Sequence, residues 1–185
     1  MTETALIKAL QDKDQAAFKE LVESYQQMVF NTVLSIVQHE QEAEDISQEV
    51  FIQVYISIDG FRQDAKLSTW IYRIATTKAL DWERKKRTKK RFGKILNIFG
   101  GDNSPVDDLA DFNHPGVQME NKEHAAQLFK SLQALPENQK VAFVLIKIEG
   151  LNYQQTSEVM NTTVKAVEAY MHRAKINLQK NISKS

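Results

Sequence analysis

The chain has 185 residues, 24 Lys and Arg balanced by 24 Asp and Glu, and no cysteine. The length leaves one domain or two small ones open, and the absence of cysteine removes disulfides and thiolate metal sites and is compatible with a reducing cytosol. His39, His114, His124 and His172 lack paired ligand spacing, no apolar run approaches the ~20 residues that cross a bilayer, and the N-terminus lacks a signal peptide's apolar core, so the expectation is a soluble cytoplasmic protein with no metal, no cofactor and no membrane insertion.

Zero net charge conceals a pattern. Residues 1–65 carry four bases and twelve acids, 66–94 eleven and two, 95–120 none and five, and 121–185 nine and five. Successive acidic, basic, acidic and mildly basic blocks suggest separate surfaces for separate partners.

From Asp14 to Val37, Phe18, Leu21, Val22, Tyr25, Val29, Val33 and Ile36 step by three and four, which predicts an amphipathic core helix. A second helix is predicted over 39–58, with Ala43, Ile46, Val50, Val54 and Ile58 inward and Glu42, Asp45, Gln48, Glu49 and Gln53 outward. These carboxylates have no His pair or Gly-bearing loop beside them. Composition alone favours a solvated face over a protein-docking one.

Asp59 and Gly60 end that helix, and 61–66 form a short connection. Ser68 is placed to cap the next helix, in which Leu67, Ile71, Ile74, Ala75 and Trp82 share one face. Arg73, Thr76, Thr77, Arg84 and Lys85 then face elsewhere, ahead of Arg87, Lys89, Lys90 and Arg91. A basic helix with aromatics near its start fits nucleic acid, since phosphates attract the cations and unstacked bases lie on rings. A solvated helix end favoured by the helix dipole is the alternative.

Paired glycines at 100 and 101, prolines at 105 and 115, and uniform acidity predict a linker that lets the flanking domains move independently. Its apolar run Ile95, Leu96, Ile98 and Phe99 is expected to dock on a neighbouring surface. A second helical unit starts near Gln118 and carries Leu128, Phe129, Leu132 and Leu135; Pro136 opens a helix with Val141, Val144, Leu145 and Ile148 inside, and Gly150 closes it. Asn152 and Gln155 form a capping box for a short helix, Asn161 and Thr162 a turn, and Thr163 a cap for a last helix with Val164, Val167, Met171, Ala174 and Leu178 inward. Its other face holds Lys165, Ala166, Glu168, Ala169, His172, Arg173 and Asn177. That pattern suits either a DNA-reading helix-turn-helix or an ordinary helical hairpin.

Taken together, the segments resemble a bacterial RNA polymerase sigma factor of the sigma-70 family, extracytoplasmic-function type, over nearly the whole chain. EAEDISQEVF (42–51) resembles the acidic motif that docks on the polymerase clamp, LSTWIYRIATTKALDWERKKR (67–87) the helix that melts and reads the minus-ten element, and 135–175 the helix-turn-helix that reads the minus-thirty-five element. Thr77 departs from the asparagine common in the family, and Glu168 and Tyr170 from its basic or polar residues.

The resemblance implies an all-α, non-enzymatic protein of two small helical domains, 1–93 and 118–185, joined by a flexible acidic linker at 94–117. It implies polymerase contacts at Asp45, Gln48 and Glu49, and minus-ten contacts at Phe61, Lys66, Ser68, Trp70, Arg73, Thr76, Thr77, Arg84, Lys85 and Arg87. Helix-turn-helix contacts are implied at Thr163, Lys165, Ala169, His172, Arg173 and Lys175. The implied partners are core RNA polymerase, promoter DNA as duplex and melted strand, and an anti-sigma factor. A stand-alone helix-turn-helix regulator is the competing reading; it leaves the acidic and basic helices without a joint role.

Overall fold

The structure, a computed structural model, describes the backbone of residues 2–98 and 122–182 and the side chains of 2–91 and 125–182. Among the described residues every regular element is helical. The first unit holds α1 (Glu3–Gln11), α2 (Gln15–Val37), α3 (Glu40–Ser57), a short 3-10 turn (Ile58–Gly60) and α4 (Leu67–Ile98). The second holds α5 (Lys122–Gln133), α6 (Glu137–Phe143), α7 (Tyr153–Val159) and α8 (Val164–Ile182), with a π-helical turn over Val144–Ile148 after α6.

Local chemistry accounts for most of the boundaries. The Asp14 carboxylate accepts from Ala17 N–H at 2.8 Å at the start of α2, which ends where Gln38 turns left-handed at φ 52°. His39 caps α3 through Nδ1, and Glu40 and Glu42 complement the helix dipole in its first turn. The start of α4 differs from expectation. Ser68 lies inside the first turn, and the Leu67 N–H donates instead to the Glu3 carboxylate of α1 at 3.3 Å, so a distant residue caps the helix. Helix α1 itself, absent from the sequence reading, buries Leu6, Ile7 and Leu10.

Helices α2, α3 and α4 enclose a core that includes Leu21, Val33, Val50, Val54, Ile71 and Ala75. In the second unit Phe129, Leu132, Leu135, Ala174 and Leu178 pack α5 on α8, while Ala142, Val167 and Met171 pack α6 on α8. The two units are in contact. Val141, Val144, Leu145 and Val159 belong to the same buried cluster as the first unit's core. Side-chain amides tie the backbones as well: Gln38 donates to Phe129 O at 2.8 Å and Gln133 to Ile36 O at 3.1 Å. Residues 94–98 continue α4, and 99–121, the rest of the expected linker and the start of the second unit, lie outside the described residues, as do the side chains of the Ile95–Phe99 run.

Candidate polymerase and nucleic-acid interfaces

Helix α3 carries one exposed stripe. Asp45, Gln48 and Glu49 are all exposed, and Ile52 and Ile56 continue the same face at 58% and 64% exposure, unusual for aliphatic side chains. Glu49 lies 3.4 Å from the Lys78 ammonium, an exposed pair of little energetic weight. Glu42 belongs elsewhere, because its carboxylate accepts from the Trp82 indole N–H at 2.7 Å and clamps α3 to α4.

The basic helix is less open than its sequence suggests. Phe61 is 9% exposed and stacks on Trp70 with centroids 4.8 Å apart, so it is a wall of the core and not a free platform for a base. Thr76 is buried too, its hydroxyl donating to Tyr72 O at 2.8 Å. Both depart from the expected DNA contacts. Lys66, Thr77, Lys85, Lys89 and Arg91 are exposed, and Ser68, Trp70 and Arg73 are partly exposed. Between α3 and α4 lies a groove of about 570 Å³ whose lining includes Glu49, Trp70, Arg73, Thr77, Trp82 and Lys85. It joins apolar ring faces to three cations, Arg73, Lys78 and Lys85, with the carboxylates of Glu49 and Asp81 at the same lining, and rings beside cations suit a base with its phosphate.

Arg73, Arg84 and Arg87 are engaged by the second unit. Arg73 donates twice to Glu158 O, at 2.9 and 2.6 Å. Arg84 meets Glu137 at 2.6 Å and Asp81 at 2.9 Å, and Arg87 meets Glu137 at 3.1 Å. The Arg84 hydrogen bond and charge hold the Glu137 carboxyl below its ordinary range, with Arg87 adding to the effect. Beneath them Glu83 and Lys140 form an ion pair at 2.6 Å, their side chains 6% and 2% exposed. Glu149 accepts from the Tyr72 hydroxyl at 3.1 Å, and burial raises its carboxyl to about 7 while that hydrogen bond partly offsets the rise. Burial and the Glu149 charge raise the Tyr72 phenol in turn.

The second unit presents a helix-turn-helix. Asn152 and Gln155 cap α7 reciprocally, Asn161 makes the turn at φ 49°, and Thr163 Oγ1 accepts from Ala166 N–H at 3.2 Å to start α8. Val167, Met171, Ala174 and Leu178 are buried, whereas Thr163, Lys165, His172, Arg173 and Lys175 are exposed and Ala169 is partly so. The Arg173 guanidinium lies over the Tyr170 ring at 5.5 Å. Asn177 turns inward and donates to Gln139 at 2.8 Å, so it belongs to packing and not to the outward face. Lys165, Ala169, His172 and Arg173 thus lie along the face that a second helix turns toward a major groove.

Two family signatures cover these units: Sigma-70 region 2 matches residues 21–89, and Sigma-70, region 4 matches 125–178. The RNA polymerase sigma-H factor of Pseudomonas aeruginosa is 31% identical over 95% of this chain and 91% of its own length. The chain belongs to the sigma-70 family. Its similarity to the ECF RNA polymerase sigma factor SigW of Bacillus subtilis, 30% identical over 95% of this chain and 94% of that one, places it in the extracytoplasmic-function group. The fold is shared with the sigma factor RpoE solved with the anti-sigma factor NepR from Bartonella quintana, at TM-score 0.62 and 19% identity over 90% of this chain and 96% of that one. Region 2 therefore comprises α2, α3 and most of α4, and region 4 comprises α5 to α8.

Glu83, Glu137, Lys140 and Glu149 were not candidates on sequence grounds. Each has a partner in the other unit fifty or more residues away, and local spacing shows only the i,i+4 approach of Arg87 to Glu83 at 3.6 Å.

Proposed function

We propose that this sigma factor binds core RNA polymerase and directs it to promoters, with region 2 taking the minus-ten strand and region 4 the minus-thirty-five duplex. The observation that carries this reading is the presence, on one chain, of an exposed acidic and aliphatic stripe on α3, a basic helix α4 and a helix-turn-helix with an exposed second helix. Asp45, Gln48, Glu49 and the adjoining Ile52 and Ile56 suit a partner surface that is basic beside an apolar patch. Trp70 and Thr77, with Lys85 beside them, line the groove for an unstacked base, and Lys66, Arg84 and Arg87 hold phosphates. Lys165, Ala169, His172 and Arg173 face the major groove, and Thr163 and Lys175 lie within reach of its phosphates.

The protein acts by binding and not by catalysis, in the cytoplasm where polymerase works. An anti-sigma factor is the expected antagonist, because the fold is one that NepR holds in the solved RpoE complex. Run-off transcription with purified core polymerase and genomic promoter fragments tests the reading. Discrete transcripts that require both core and this chain are expected; their absence on every fragment would overturn it.

A further inference from the structure

One carboxylate stands on the helix face that the proposed function turns toward upstream duplex. Glu168 is exposed in the second turn of α8, three residues after Lys165 and four before His172, both exposed as well, so the three share that face. Val167 and Met171 are buried and fix its register. The carboxylate is not spent on packing. Among the described residues no hydrogen bond or ion pair engages it, and the Arg173 guanidinium lies over the Tyr170 ring instead. Ala166 and Ala169, small and partly exposed, flank it along the helix, so the backbone can approach a groove floor closely at this point.

Phosphates repel an acid on this face, and the exposed cations Lys165, Arg173 and Lys175 offset that repulsion. What a carboxylate adds is selectivity, because it accepts hydrogen bonds and donates none. In the major groove guanine shows two acceptors, thymine an acceptor and a methyl group, adenine a donor beside an acceptor, and cytosine a donor alone. Only cytosine meets the carboxylate with no acceptor set against it. We infer that Glu168 is a specificity residue of α8, accepting from the cytosine amino group at one base pair of the upstream element and turning away guanine and thymine there. Resting on the assignment of α8 to upstream duplex, this names a base that the assignment leaves open. The selectivity has two sources: the hydrogen bond gained at cytosine, and the cost of a carboxylate left facing acceptor atoms at any other pair.

The test uses holoenzyme reconstituted from core polymerase and the full chain, on a promoter active in run-off transcription. Fragments in which each upstream base pair is replaced in turn by the other three compete for the holoenzyme, and the bound fraction is sequenced. The wild type should favour cytosine about five- to tenfold over guanine or thymine at one position, the scale of a single base-edge contact. Glu168→Gln should move the preference at that position to adenine, because an amide pairs with the adenine N6 and N7 edge. Glu168→Ala should flatten the preference there alone, strengthening the disfavoured sequences while weakening the cytosine one. A cytosine preference that survives Glu168→Ala, or a change in binding that is equal on all sequences, would overturn the role of Glu168 and leave α8 on the duplex. A wild type with no preference at any upstream position would overturn the assignment of α8 to that duplex and the inference with it.

Discussion

Asp45 and Glu49 sit on a face whose neighbours Ile46 and Val50 are buried, so their charge can be reversed without disturbing what holds α3 in place. Asp45→Lys with Glu49→Lys should change the thermal midpoint little, since exposed substitutions usually cost about 0.5 kcal/mol or less and the lost Lys78 contact is an exposed pair. Core-polymerase affinity should nevertheless fall steeply as like charges meet; a titration showing undiminished affinity in the folded variant would return the face to solvent. Glu149 gives a second prediction, through protons. Its carboxyl stands at about 7 in the packed structure, raised by burial from the ordinary 4.5. Below 4.5 both packed and exposed forms carry the proton and pH has no leverage; between 4.5 and 7 only the packed form holds it. Stability therefore falls as pH rises through that window and is lowest above it. Glu137, depressed by Arg84, acts in the opposite sense and only as pH falls below its ordinary value, so the two windows separate. Thermal midpoints from pH 5 to 8 should decline in the wild type and decline less in Glu149→Gln. Parallel profiles would mean that Glu149 is not buried against Tyr72 in solution.

Among the elements, the proposed function divides the DNA contacts between α4 and α8, and substitution should separate them. Replacing Arg84, Lys85 and Arg87 with Gln should make the salt dependence of promoter-complex formation shallower by about 0.7–0.9 in log–log slope per lost phosphate contact. Lys165→Ala and Arg173→Ala should weaken complexes only on templates that carry the upstream element, with about 1–3 kcal/mol of discrimination lost at one base pair for a base-edge contact. Equal losses on templates with and without that element would reject the division. The helices themselves were largely legible. The inward stripe of α2, the acidic face of α3, the capping box of α7 and the buried register of α8 all follow from spacing and cap chemistry. What escaped has a physical reason in each case. Helix α1 offers only three buried side chains in nine residues. Ser68 has the right chemistry for a cap, but Glu3, more than sixty residues earlier in sequence, reaches the helix start instead. Helix α4 is buried on two faces, and the second is built from Tyr72, Thr76 and Glu83, whose polarity hides it from any hydropathy pattern. Its hydroxyl makes Thr76 read as an outward residue, and the cover that region 4 provides leaves no mark in local spacing.

At the scale of the whole molecule, the proposed function has three surfaces of different chemistry serve one sequence of events: docking on polymerase, seating on upstream duplex and holding a separated strand. The two units share buried side chains, yet the contacts between them include a buried ion pair and several partly exposed ones, a composition closer to a transient interface than to an obligate core. The central claim is that this chain makes polymerase open a promoter. Permanganate reactivity of thymines in the minus-ten region, measured on one duplex promoter with core polymerase alone, the chain alone and the two together, tests it most directly. The account predicts reactive thymines only in the combined sample, with the duplex unprotected by the chain alone. Protection of the duplex by the chain alone, with thymines unreactive in all three samples, would contradict it and identify a regulator that binds DNA independently of polymerase.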